Sequence, residues 1–406
     1  MQKIFIDIFC FLEEVFECNL SNRMDIVQYC ANRRKTFSIR DWENIYQESR
    51  LQGILPLTYK SAEECCIYQD IMGQWQRNAM RQIAWSLKVL EEQNELLGLL
   101  HNLRPVIIKG AATACYYPNP EYRQMGDIDL VLLDGNLESG KQLLLEQGYV
   151  LCEDDRRHIS FSKNGIVVEL HRRDTHSVKQ TEWYDRMDYV VTKADQVQET
   201  EVSGYRIPIF EDTYNGLIIL THLLHHMAGG IGLRQLIDWR MYAEKLLTDD
   251  YWNVAFCPHA EELDIVDYTK TVTRTCQIYL GLRDDITWCR DVDEKLCESF
   301  MEYVMSQGNF GSKADYNTHS MDVLFRSTGM KNLFMNLQRQ GRYNWKALRK
   351  YPWLSPFAWM YQGIRYMRLG FGHNISISDL KKEKDVKKEL ASLFEKMGLK
   401  NGGRKM

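Results

Sequence analysis

Arg123-Gln124-Met125-Gly126-Asp127-Ile128-Asp129-Leu130-Val131-Leu132 is the stretch on which the reading of this 406-residue chain turns. The run from Asp127 to Leu133 has the composition of a strand, where residues i and i+2 share a face. Asp127 and Asp129 therefore project together while Ile128 faces the core. Two carboxylates side by side repel one another unless a cation lies between them. Hard oxygen ligands of this kind suit Mg²⁺, which is usually shared with substrate phosphates. Gly126, just before the pair, leaves room for a ligand to approach the backbone.

A pair of acids is half of a metal site, and its complement is expected on a neighbouring strand. Val167-Val168-Glu169-Leu170-His171 supplies it: Val168 and Leu170 point one way, Glu169 and His171 the other. Three carboxylates can hold a pair of Mg²⁺ ions, one clamping a nucleoside triphosphate and one activating a hydroxyl for in-line attack at the α-phosphate. Upstream, Val106-Ile107-Ile108 forms a short buried strand that stops at Lys109-Gly110. The small-residue helix Ala111 to Tyr117 then ends at Pro118 and Pro120. Placed between a strand end and a helix start, Lys109 and Gly110 would offer an ammonium and backbone N–H groups to the β- and γ-phosphates.

The order Lys109-Gly110-Ala111-Ala112, Tyr117-Pro-x-Pro-x-x-Arg123, Gly126-Asp-Ile-Asp-Leu130 and Val168-Glu-Leu-His171 resembles the bacterial uncharacterised nucleotidyltransferase family, a branch of the polymerase β-like nucleotidyltransferases. The resemblance covers residues 70 to 245 and takes in His222, His226, Arg234 and Asp238 of the helices that follow. It implies a polymerase β-like core in which Asp127 and Asp129 bind both metals. Glu169 would complete the catalytic metal and favour deprotonation of the acceptor. It also implies that His222, Arg234 and Asp238 line the rear of the cleft. In the wider superfamily the phosphate loop is Gly-Ser or Gly-Gly; here Lys109-Gly110-Ala111 stands instead and lacks the hydroxyl.

Arg123 is a candidate nucleotide contact, the alternative being a salt bridge that ties its loop to the sheet. His158 and His171 are candidates for the acceptor cleft or for proton transfer, or are structural. His222, His225 and His226 share a helical face, but Leu223 replaces the Glu of H-E-x-x-H, so a zinc-protease reading lacks its general base. Gly135-Asn-Leu-Glu-Ser-Gly140-Lys141-Gln142 matches a P-loop in spacing. Gln142 replaces the Ser or Thr that Mg²⁺ requires and Glu138 sits where phosphates would, so it reads as a turn and helix start. The aromatic run Trp345, Tyr351, Trp353, Phe357, Trp359 and Tyr361 fits a helical core at least as well as base stacking.

Around this centre the pattern is helical on both sides. Residues 1–104 end in an amphipathic run from Ile71 to Leu100. Residues 105–210 form an α+β unit, a mixed sheet with flanking helices, and residues 211–406 return to helix. Within the central unit, strands are expected at 149–152, 158–162, 166–171 and 205–210, and a helix at 137–147. In the last region Asp212 or Thr213 caps a helix reaching Met227. Further helices are expected at 233–247, 260–281, 292–306, 320–339 and 377–397.

Composition narrows the class. Hydrophobic residues make up 45% and charged residues 26%, which excludes disordered, collagen-like and repetitive proteins. The formal net charge of −4 does not point to a nucleic-acid binder. Lys331 to Met406 nevertheless carries 17 basic and 5 acidic residues, leaving 34 against 50 for the rest; this tail is weakly compatible with an RNA acceptor. Its Lys381-Lys382-x-Lys384 and Lys387-Lys388 stripe reads as a solvated helix face. Eleven scattered cysteines without a C-x-x-C pair suit a reduced, cytoplasmic protein. No apolar stretch approaches the roughly 20 residues needed to cross a bilayer. Asp7, Glu13 and Glu14 make the N-terminus an amphipathic helix and not a signal peptide.

The expected activity is metal-dependent transfer of a nucleoside monophosphate from an NTP to an unidentified acceptor, with Mg²⁺ or Mn²⁺ as cofactor and pyrophosphate as product. The acceptor could be a small molecule, a protein or an RNA. The alternatives are an inactive scaffold used for binding or regulation, and a nucleotidyltransferase of the toxin or antitoxin kind. Glu169 separates them: out of metal-bridging reach of Asp127 and Asp129, it would sink the enzyme reading.

Overall fold

The computed structural model describes residues 37–133, 137–154, 157–173, 186–227, 230–309, 312, 334, 337–338, 341–342, 345, 347–371 and 390–399. The expected N-terminal amphipathic helix, the helix at 320–339 for the most part, and the Lys381 to Lys388 stripe lie outside these residues. The chain divides into two compact units, Met1–Lys313 with Met397–Met406, and Ala314–Lys396.

The first unit is built on a seven-stranded mixed sheet. Its strands are β1 (Pro105–Ile108), β2 (Asp127–Leu132), β3 (Val150–Asp154), β4 (His158–Lys163), β5 (Ile166–His171), β6 (Val197–Val202) and β7 (Tyr205–Phe210). They lie in the order β3-β4-β5-β2-β1-β7-β6. β2 runs parallel to β5 and β1 parallel to β7, while the remaining neighbours are antiparallel. Before the sheet come helices α1 (Ile39–Leu51), α2 (Leu55–Cys65) and α3 (Gln69–Leu100). Between its strands lie α4 (Gly110–Ala114), α5 (Leu137–Glu146) and α6 (Arg186–Lys193). After it follow α7 (Asp212–His226), α8 (Leu233–Leu246), α9 (Val266–Leu280) and α10 (Glu294–Gln307).

Alternation along the strands decides which face is core. Ile107, Ile128, Leu130, Leu132, Ile159, Phe161, Ile166, Val168, Leu170, Ile207 and Ile209 all enter one buried cluster. Val89, Leu90, Leu96, Leu97 and Leu100 of α3 and Leu144 of α5 complete it. Removing each such side chain from water stabilises the fold by about 1.5–3 kcal/mol. The opposite face of the same strands carries Asp127, Asp129, His158, Ser160, Glu169 and His171, and α7 packs against its β7 end.

β6 and α6 lie where no regular element was expected. β6 is an edge strand reading Val-Gln-Glu-Thr-Glu-Val, exposed along most of its length, so its sequence carries almost no apolar signal. The cap of α7 is also shifted by a residue. The Glu211 carboxylate accepts from the backbone N–H groups of Thr213 and Tyr214 at 3.0 and 3.3 Å, the longer side chain reaching donors that Asp212 was expected to serve.

In the second unit, Pro352–Phe357 forms a 3₁₀ turn with Pro356 inside it, followed by a helix at Ala358–Phe371. Trp345 stacks on Tyr361 with ring centres 5.1 Å apart. The prolines break the helical period assumed for the aromatic run, and Trp353 and Phe357 are exposed instead of joining a core. Among the described residues no helix is long and apolar enough to cross a membrane.

Candidate active site

The carboxylates are brought together by strand register. Asp129 lies directly across from Glu169 in the parallel β2–β5 ladder, and Asp127 across from Val167. His171, two residues beyond Glu169, shares its face, and β4 adds His158 opposite His171. One ligand atom each from Asp129, Glu169 and His171 lie within 4.8 Å of one another, the group among the described residues that could hold a metal ion. Glu169 is therefore within bridging reach of Asp129. Asp127 stands at the exposed start of β2, two residues along the same face.

Lys109 supplies the positive charge at this centre. Its ammonium donates to Asp129 Oδ1 at 2.6 Å and lies 3.4 Å from His171 Nε2. His171 Nε2 is 2.7 Å from the same oxygen and 3.4 Å from Glu169 Oε2, while His158 Nε2 is 3.6 Å from Glu169 Oε1. The ammonium is aimed by an unusual backbone: Lys109 has φ 59° and ψ −152°, and Gly110 follows with φ 38°. Such a φ at a residue with a side chain costs on the order of 1–3 kcal/mol and is found where the surrounding fold imposes it. α4, the helix after this turn, spans only Gly110–Ala114, so it adds little helix dipole to the amides of the turn. A Cβ added to Gly126 would meet no atom within 4 Å, and the space beside Asp127 is open.

Charges and burial set the protonation of these groups. Burial alone would raise the Asp129 carboxyl, but Lys109 and His171 outweigh it and hold the group below the usual carboxylate range. The like charge of Asp129 above all pushes Asp127 up to about 6. Burial and Lys109 work against a charge on His171, yet its bonds to Asp129 and Glu169 prevail and raise it. Lys109 is raised too, the three acids overcoming its burial.

The remaining expected residues lie beside and beneath this centre. Arg123 is 3% exposed, and its Nε and Nη2 donate to the two oxygens of Asp238 at 2.7 and 2.9 Å. This is the salt-bridge alternative, made to α8 and not to the sheet; a phosphate contact by Arg123 would require it to leave this pair. Tyr117 also donates to Asp238, at 2.7 Å, a partner that no sequence spacing revealed. Arg234 donates to the Gln124 carbonyl at 3.0 Å. Arg123, Asp238 and Arg234 thus brace residues 123–126 from behind. His222 is half-buried, its Nε2 2.9 Å from that of His226, and the loss of water around the ring first and His226 second hold it well below the usual histidine range. His225 turns instead towards Arg157, 3.5 Å away.

Of the rival P-loop, Gly135 lies outside the described residues. Gly140 belongs to α5, where a Cβ would come within 2.5 Å of Leu132, and Lys141 is paired with Asp154 at 3.0 Å. That stretch is helix packing.

The sequence model of the uncharacterised nucleotidyltransferases matches residues 38–281, which hold the whole sheet and every group named above. The chain belongs to the uncharacterised nucleotidyltransferase family. No curated protein and no solved structure matches it. The family's match begins at α1 and ends just after α9, so the helices on both sides of the sheet are part of what its members share with this chain.

Proposed function

We propose that the protein is a metal-dependent nucleotidyltransferase of the polymerase β-like kind, moving a nucleoside monophosphate from an NTP to an acceptor and releasing pyrophosphate. The observation that carries this reading is the placement of Glu169 directly across from Asp129, with Asp127 on the same face. The donor set suits a divalent cation: Asp127, Asp129 and Glu169 offer hard oxygens, and Asp129 and Glu169 converge within the 4.8 Å group. Bound there, Mg²⁺ or Mn²⁺ would offset phosphate charge and acidify the acceptor hydroxyl.

The protein's own groups do the rest. The acceptor oxygen attacks the α-phosphorus as the bond to the bridging oxygen breaks, and Glu169, beside the attacking group, favours loss of the acceptor proton. Lys109, freed from Asp129, meets the β- and γ-phosphates, and the Gly110 amide and open Gly126 backbone flank them. Arg123 and Asp238 keep the strand entrance at Gly126-Asp127 in place. Residues 105–210 form the catalytic core in this reading. On the same reading the helices that flank the sheet, α3 before it and α7 and α8 after it, shape the acceptor cleft, with His158 beside Glu169 and with His222, Arg234 and Asp238 supplied by α7 and α8. The acceptor is a small molecule, a protein or an RNA, and the setting is cytoplasmic.

The test is a screen of each NTP with Mg²⁺ or Mn²⁺, reading thermal stabilisation and pyrophosphate release. It is run beside Asp127→Asn/Asp129→Asn and Glu169→Gln, with folding checked by circular dichroism. One NTP should stabilise the protein in a metal-dependent way, and turnover should fall by about 10²-fold or more in either variant. A protein stabilised by no NTP in either metal belongs instead to the binding-scaffold alternative.

A further inference from the structure

We propose that His171 is itself a metal ligand, so that this site selects Mn²⁺ and its transition-metal neighbours over Mg²⁺. The inference rests on the nucleotidyltransferase reading above and adds the choice of ion. An all-oxygen site made from Asp127, Asp129 and Glu169 has no use for an imidazole. Yet His171 Nε2 points into the middle of the group, 2.7 Å from Asp129 Oδ1 and 3.4 Å from Glu169 Oε2. Neighbouring ligand atoms around an octahedral ion with bonds near 2.1 Å are about 3 Å apart, so only small adjustments would seat one. The side chain is 7% exposed and its strand is in register with β2 and β4, so the ring is held in this position by the sheet.

The charge arrangement gives a second, independent mark. Lys109 Nζ lies 2.6 Å from Asp129 Oδ1 and 3.4 Å from His171 Nε2, an ammonium standing among ligand atoms where a cation belongs. Lys109 would give up this position to a bound cation, and its ammonium would then be available to the triphosphate. Coordination requires Nε2 without its proton, the tautomer protonated on Nδ1. Imidazole nitrogen is a poor ligand for Mg²⁺, which prefers oxygen and water. It suits first-row transition ions, whose affinity rises from Mn²⁺ towards Co²⁺.

The experiment is metal binding by calorimetry on the full-length protein, without activity as a readout, for Mn²⁺ and Mg²⁺ in the presence and absence of the NTP that stabilises it best. The wild type should bind Mn²⁺ at least tenfold more tightly than Mg²⁺. His171→Ala should lose at least tenfold in Mn²⁺ affinity with little change for Mg²⁺. Lys109→Met, which removes the competing ammonium, should bind both ions more tightly in the absence of nucleotide. In case His171→Ala does not fold, pulsed electron paramagnetic resonance of wild-type protein with Mn²⁺ reads the same contact directly, as coupling to a bound imidazole nitrogen. Mn²⁺ binding that is unchanged in His171→Ala, or a Mn²⁺ spectrum without nitrogen coupling, overturns the proposal but leaves the carboxylate site standing. A wild type that binds neither ion overturns both.

Discussion

Asp127 occupies an electrostatically costly position. Asp129, two residues along the same face, pushes its carboxyl up to about 6, against an ordinary value of about 3.9. A raised acid pKa means that the native state favours the protonated form. This group therefore weakens the metal-free fold above pH 6, and the effect disappears below pH 4. In EDTA at pH 7.5, Asp127→Asn is expected to raise the melting temperature slightly, with the gain vanishing near pH 4. A melting curve in which the variant is less stable at neutral pH would contradict this. Replacing Asp129 by Asn should let the Asp127 carboxyl titrate lower than in the wild type, as followed by carboxyl-carbon NMR. The same pair that repels in isolation is what a divalent cation would draw together, so under the proposed function stability and activity would be opposed at this residue.

Two contacts between elements, one at the entrance to β2 and one between α7 and α8, are tightly set. The Arg123–Asp238 pair joins the loop before β2 to α8 and is buried on both sides. Removing one partner strands the other charge, so Asp238→Leu should cost about 3–5 kcal/mol in denaturant unfolding, and Arg123→Met/Asp238→Leu distinctly less than the sum of the two single changes. Between α7 and α8, Gly216 lies so close to Tyr242 that an added Cβ would be 2.1 Å from its ring. Gly216→Ala should destabilise by about 1–3 kcal/mol, partly recovered when Tyr242 is also shortened to Leu. How legible these elements were in sequence follows from how local their causes are. β1, β2, β5 and β7 announce themselves through short apolar runs ended by Gly, Pro or charge, and the i, i+2 rule places Asp127, Asp129, Glu169 and His171 on one side. β6 is silent because the side of this edge strand that turns inward carries Gln198 and Thr200 beside a single apolar residue, Val202. The pairing of Arg123 with Asp238 joins residues 115 apart in sequence, and no local periodicity encodes a partner at that distance. The engagement of Asp129 by Lys109 was hidden for another reason: the sequence suggests phosphate as the partner of Lys109, and without phosphate the nearest anion takes it.

At the scale of the whole molecule, acid sensitivity is built in through α7. His222 is held neutral by the loss of water around its ring and by His226 beside it. A histidine whose native pKa is depressed leaves the fold intact above about 6.5 and destabilises it as pH falls, because the unfolded chain binds the proton more readily. His171 works in the opposite sense, its raised value contributing stability at low pH that is lost as pH rises. The pH dependence of unfolding between 7 and 5.5 should therefore be shallower in His222→Gln than in the wild type, whatever the variant's absolute stability. Equal slopes would show that the His222–His226 pair does not govern acid lability. Glu169 reaches Asp129 only because β2 and β5 align residue for residue, although the β3–β4 hairpin is made between them. Slip that alignment by a single position and Val168 or Leu170 replaces the glutamate. A chain in which β2 and β5 are mispaired thus lacks the Asp129–Glu169 pair, and under the proposed reading it would have no competence for nucleotidyl transfer.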